Sequence, residues 1–123
     1  QLKKYHKKKI ILIDRFTDST IAYKHYGLGV NIKLIKYINN YILKDFKVDY
    51  TFLNIVNRSN MIKRLKIRKS LNRYDKFNNN FYQKVQKGFL QLAKNKDKYK
   101  IINSNLDIKY NKREIIQSIN RLL

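Results

Sequence analysis

Lys9-Ile10-Ile11-Leu12-Ile13-Asp14-Arg15-Phe16-Thr17-Asp18-Ser19-Thr20-Ile21-Ala22-Tyr23 is the stretch that decides the fold. Four aliphatic residues run without alternation into an acid and a base. A continuous apolar run suits a strand buried on both faces, as in a parallel sheet, whereas alternation would mark a strand with one wet face. In open α/β sheets, ligands sit beyond the carboxyl ends of the strands, and Asp14 and Arg15 fall at that end. Asp18, Ser19 or Thr20 is placed to cap the helix that follows. A carboxylate able to hold a metal, a guanidinium able to fork onto a phosphate, and hydroxyls at a helix start together suggest a nucleotide site.

Outward from this stretch, helices and strands alternate. A helix is expected over residues 19–26, broken by Gly27-Leu28-Gly29. No third glycine follows at dinucleotide-binding spacing, so Gly27 is read as a left-handed helix end. Asn31 caps a helix reaching about residue 45, and Leu34, Ile35, Ile38, Ile42 and Phe46 recur at helical spacing, so they are expected to face the core. Residues 50–55 form the next strand. Asn57 or Ser59 starts a helix carrying Met61, Ile62, Leu65 and Ile67. Asn78-Asn79-Asn80 reads as another helix start, after which Phe81, Val85, Phe89 and Leu92 share a face. A basic turn from Lys94 leads to a short strand over residues 99–102. The last helix begins near Asn111, with Ile115, Ile116, Ile119 and Leu122 on one side. This order predicts an α/β fold with a parallel sheet built by right-handed crossovers.

With 123 residues and 43% hydrophobic content the chain suits one domain, residues 1–123. No stretch has the length of a membrane span, and a cytoplasmic location fits. Cysteine is absent, which excludes disulfides and thiolate metal sites. His6 and His25 lack metal-ligand spacing, and the lone glutamate, Glu114, leaves no paired-carboxylate acid–base site to argue. The formal charge of +21 would suit a polyanion partner. Yet Lys, Asn, Ile, Tyr and Phe, all with A/T-rich codons, are abundant together, while Pro is absent and Gly scarce. Compositional drift of the genome raises lysine without any demand for nucleic acid. The lysines are also scattered, and the aromatics fall mostly at core-facing periodic positions, so nucleic acid is not the expected partner.

The segment from Asp14-Arg15-Phe16 through Ser19-Thr20 to Ala22-Tyr23 resembles the "DRY/F…ST…AYQ" region of bacterial thymidylate kinases, P-loop enzymes that phosphorylate dTMP. Val48-Asp49-Tyr50-Thr51-Phe52-Leu53-Asn54-Ile55 is similar to that family's next core strand. Arg64, Arg68 and Leu71-Asn72-Arg73-Tyr74-Asp75 resemble its arginine-bearing LID, placed over residues 68–80. Phe81-Tyr82-Gln83-Lys84-Val85 onward to Ala93 resembles the helix after the LID. The resemblance implies a partial three-layer α/β/α P-loop kinase fold with about three of the family's five strands present. It implies dTMP and ATP as substrates, ATP and Mg²⁺ as the cofactors, and a homodimer; one helix like that after Asn31 builds the family's dimer interface, and the sequence does not separate this from a stripe packed on its own sheet. It assigns the dTMP phosphate to Arg15, the nucleoside to Ser19, Thr20 and Tyr23, a phosphate or base oxygen of the substrate to Lys24, metal binding to Asp14, and charge stabilisation to Arg64, Arg68 and Arg73.

The residues keep their ordinary roles beside these. Ser19 and Thr20 suit capping, Tyr23 an amphipathic helix, and cations such as Arg64 and Arg68 are favoured at a helix C-terminus by the dipole. Lys24 stands where the motif has Gln, and Asn54 where it often has an acid. No G-x-x-x-x-G-K-[ST] loop occurs, and the chain begins at Gln1. The expectation is therefore a C-terminal kinase portion, inactive by itself, whose strands at residues 10–13 and 50–55 would flank an absent neighbour. Such a piece is expected to be marginally stable alone. The alternatives are another nucleoside monophosphate kinase and a basic nucleic-acid-binding module.

Overall fold

The chain builds its elements where the sequence offers a cap and a partner. A computed structural model describes residues 9–44, 46–68, 70 and 78–123. Helix α1 (Thr17–Thr20) passes directly into a π-helical segment, Ile21–Gly27. Helix α2 (Ile32–Leu43), strand β1 (Thr51–Ile55), helix α3 (Arg58–Ile67), helix α4 (Asn79–Leu92), strand β2 (Tyr99–Asn103) and helix α5 (Ile108–Leu122) follow. Among the described residues, no helix is long and apolar enough to cross a membrane. The elements divide between two compact units.

The first unit holds α1, the π segment, α2 and α4. Asn31 caps α2 as expected, its Oδ1 accepting from the Lys33 N–H at 2.8 Å. Asn78 does the same for α4, accepting from the Phe81 N–H at 3.0 Å. The core consists of Ile21, Ala22, Ile35, Phe81 and Val85. The π segment packs on α4 through two complementary glycines. A Cβ on Gly27 would stand 2.5 Å from Phe81 Cε2, and one on Gly88 would stand 2.5 Å from Tyr26 Cδ2. Each helix thus receives its partner's aromatic ring in the space its own glycine leaves. Gly27 is therefore a packing residue, and the left-handed turn falls instead on Gly29, with φ +77°.

Two expectations for this unit are corrected. Residues 10–13 form no strand. A parallel strand is stabilised by its ladder, and the sole sheet among the described residues pairs β1 with β2. Without a ladder these aliphatic side chains have no sheet face to pack in, and Leu12 is 82% exposed. The apolar stripe of α2 is also not core: Ile35 is buried, but Leu34, Ile38 and Ile42 are exposed, as are Tyr37 and Tyr41. Phe46 meets Phe16 edge-to-face at 5.8 Å.

In the second unit, β1 and β2 pair in parallel, Leu53 opposite Ile101. Thr51 N–H donates to Lys98 O, and Ser104 N–H to Ile55 O. Alternation along the ladder then turns the backbone groups of Phe52 and Asn54 to the far edge of β1. The two ends of β2's far edge are closed locally. Tyr99 N–H donates to Asn95 O, and Asn103 O accepts from Leu106 N–H and Asn111 Nδ2. Among the described residues nothing adds a strand to β1's far edge.

Asn57 caps α3, its Oδ1 accepting from Asn60 N–H at 2.9 Å. Helix α5 starts three residues ahead of expectation because Asp107 is its cap, accepting from Lys109 N–H at 2.9 Å. Its inner face is Ile115, Ser118 and Ile119; Ile116 and Leu122 are exposed. Ile116 lies about 100° around the helix from Ile115, so both cannot face inward. Lys100 Nζ bonds Glu114 Oε2 and Ser118 Oγ, each at 2.9 Å, and ties β2 to α5.

Candidate functional site

The segment from Asp14 to Lys24 lies wholly in the first unit. The capping expected of Asp18, Ser19 or Thr20 does not occur. Phe16 occupies the N-cap of α1 without a side-chain bond, and its carbonyl accepts from Ser19 N–H at 3.0 Å. Asp18 sits instead in the first turn, where a carboxylate complements the helix dipole. The hydroxyls of Ser19 and Thr20 are thereby not committed to ending the helix. Thr20 is exposed and Ser19 half-buried.

Asp14 and Arg15 are both exposed. Arg15 has φ +60°, a left-handed conformation that a residue with a Cβ seldom adopts. Its guanidinium carbon lies 5.7 Å from the centroid of the Tyr23 ring. Tyr23 meets Phe89 edge-to-face at 6.1 Å and Phe81 at a tilt, 6.0 Å away. Lys24 is half-buried on the same π segment. The geometry thus brings Arg15 and Tyr23 together.

The arginines of the expected LID divide differently. Arg64 extends from α3, and its Nη2 donates to Ser104 O at 2.6 Å. Arg68 follows α3 in extended conformation, and its N–H returns to Leu65 O. Arg73 and residues 71–77 of the LID lie outside the described residues, as do residues 1–8, including His6. The end of the 68–80 range belongs to the first turn of α4.

A polar crown that sequence reasoning missed stands at the carboxyl ends of β1 and β2. Asn105 Oδ1 accepts from Asn57 N–H and from Asn60 Nδ2, both at 3.0 Å. Asn105 donates from its own backbone and side chain to Asn103 Oδ1. With Arg64 on Ser104, these bonds fix both strand-end loops to α3. Parallel strands offer ligands this end. The signal was present in the sequence, since Asn57 and Asn103-Ser104-Asn105 each follow an apolar run. Among the described residues no group of three or more His, Cys, Asp or Glu side chains could hold a metal ion unaided.

The sequence model of the thymidylate kinase family matches residues 2–115. The thymidylate kinase of Trichodesmium erythraeum is 39% identical over 97 residues, covering 79% of this chain and 43% of that protein. That of Mycoplasma capricolum is 40% identical over 102 residues, covering 80% and 48%. That of Wolbachia from Brugia malayi is 34% identical over 116 residues, covering 94% and 55%. The chain spans about half the length of the curated relatives it matches. With the match running through the Asp14-to-Lys24 segment, both strands and α4, the chain belongs to the thymidylate kinase family.

Proposed function

We propose that this chain supplies the monophosphate-binding part of an ATP-dependent kinase that converts dTMP to dTDP. The observation that carries the reading is the family match across Asp14-Arg15-Phe16, Ser19-Thr20 and Ala22-Tyr23. In the reaction an oxygen of the dTMP phosphate attacks the γ-phosphorus of ATP, the bond to the ADP oxygen breaks, and ADP leaves. Such transfers need positioning and charge stabilisation rather than a protein nucleophile.

Arg15 is the clamp in this reading. A guanidinium forks onto two phosphate oxygens, and Arg15 is exposed at a left-handed backbone position. Ser19, Thr20 and Lys24 face the rest of the substrate in this reading. Arg64, Arg68 and Arg73 offset charge on the phosphoryl group in flight. Asp14 suits Mg²⁺, which typically takes one or two carboxylates and fills its shell with water and substrate phosphates. An exposed single carboxylate meets that need. Asp14 would hold the ion, which would supply positive charge to the phosphates when bound. The exposed apolar face of α2, from Leu34 to Ile42, supports a homodimer built on that helix. A cytoplasmic enzyme is the location this reading implies.

Arg15→Ala tests it in the native polypeptide. Loss of a charged hydrogen bond costs about 1.5–3 kcal/mol, so KM for dTMP should rise at least tenfold with KM for ATP little changed. Equal losses for both substrates would remove Arg15 from the monophosphate site.

A further inference from the structure

We propose that Tyr23 is a positioning residue for Arg15, presenting its ring as a platform on which the guanidinium rests ready for a phosphate monoester. This rests on the reading of Arg15 as the monophosphate clamp. It departs from the sequence expectation that Tyr23 itself packs on the nucleoside.

Three observations converge. The guanidinium lies over the ring at 5.7 Å, inside the range of about 6 Å at which a cation is drawn to an aromatic face. Arg15 reaches that place from a left-handed backbone, φ +60°, a conformation that L-residues keep where surrounding structure enforces it. The platform is itself held. Phe89 abuts Tyr23 at an interplanar angle of 80°, and Phe81 at 57°. Phe81 is buried in the space that Gly27 leaves open.

The π register contributes as well. Leu28 N–H donates to Tyr23 O, five residues back, at 3.1 Å. The wider turn sets Tyr23 within reach of both Arg15 and α4, and π turns recur at functional sites. An exposed arginine otherwise loses considerable side-chain freedom on gripping a ligand. Resting on the ring, Arg15 has surrendered part of that freedom before the phosphate arrives.

A double-mutant cycle in the native polypeptide tests the proposal, with dTMP and ATP as probes. Tyr23→Leu should raise KM for dTMP about two- to fivefold, the change matching an exposed cation–π contact. The effect should fall on KM for dTMP and not on kcat or KM for ATP. Tyr23→Phe, which keeps the ring, should recover most of the loss. Arg15→Ala with Tyr23→Leu should be no worse than Arg15→Ala alone, because a platform without its cation has nothing to position. Additive effects would show that Tyr23 meets the substrate independently and overturn the proposal while leaving the clamp reading intact. A Tyr23→Phe variant as impaired as Tyr23→Leu would overturn it too, by moving the role to the hydroxyl. An Arg15→Ala variant with undiminished dTMP use would overturn the clamp reading and the proposal together. Should Tyr23→Leu also lose ATP binding, and so report misfolding, the Arg15 side-chain proton shifts of the unsubstituted protein decide. Upfield ring-current displacement supports the platform, and random-coil positions overturn it.

Discussion

Residues 10–13 are a short, wholly aliphatic run and Thr51–Ile55 a mixed one holding Thr51, Phe52 and Asn54, yet only the second carries a ladder. Apolar content does not explain this, since residues 10–13 are the more apolar of the two. The difference lies in what each run meets. Thr51–Ile55 has β2 alongside in register, and beyond its carboxyl end Asn57 is tied to Asn60 and Asn105. Residues 10–13 have no ladder, and the helix start beyond them has no side-chain cap. A strand's hydrogen bonds are made with something remote in sequence, so its stability is decided by the neighbour and not by the run.

The most severe way to break this comparison is to remove what holds the paired strand. Ile102 is 3% exposed on β2. Ile102→Ala should cost about 2–5 kcal/mol in urea unfolding, through lost burial and the cavity left behind. A loss under about 0.5 kcal/mol would mean that β2 contributes little, and the contrast between the two runs would fail.

A smaller effect should come from the polar crown. Asn57 accepts from the third residue of α3, and its own N–H donates to Asn105. Asn57→Ala keeps the backbone bond and removes the cap, so the expected cost is about 1 kcal/mol. Asn57→Asp restores an acceptor and should recover most of it. If neither substitution moves the unfolding midpoint, the strand ends are held by the backbone alone.

How far the sequence disclosed the molecule follows the same division between local and remote causes. The caps at Asn31 and Asn57, the periodic face of Phe81, Val85 and Phe89, and the parallel α/β class were legible because each depends on residues a few positions apart or on alternation of elements. That arrangement is part of a P-loop kinase fold, as the family match requires. The stripe on α2 was legible as a stripe but not as an exposed one, since periodicity says which residues share a face and not what covers it. Gly27 was misread for a related reason. Its neighbour in sequence suggested a turn, while its neighbour in space is the Phe81 ring. At the candidate site, the residue types Asp14, Arg15, Ser19, Thr20 and Tyr23 were visible in order. The resting of Arg15 on Tyr23 was not, because it needs both a left-handed backbone at a non-glycine position and a π turn, and neither leaves a mark in residue pattern.

The gentlest test sharpens the comparison from the unpaired side. Leu12 is 82% exposed, and the side chains on either side of it pack in no sheet. Leu12→Ala should therefore change unfolding free energy by no more than about 0.5 kcal/mol. Amide exchange on the same sample gives the backbone view. Leu53 N–H faces β2 and should exchange slowly, whereas the amides of Phe52 and Asn54, on β1's far edge, and those of residues 10–13 should exchange fast. A costly Leu12→Ala, or slow exchange at residues 10–13, would reveal a partner for that run. The two segments would then be equivalent strands after all, and the carboxyl end at Asp14 and Arg15 would regain the sheet geometry first expected of it.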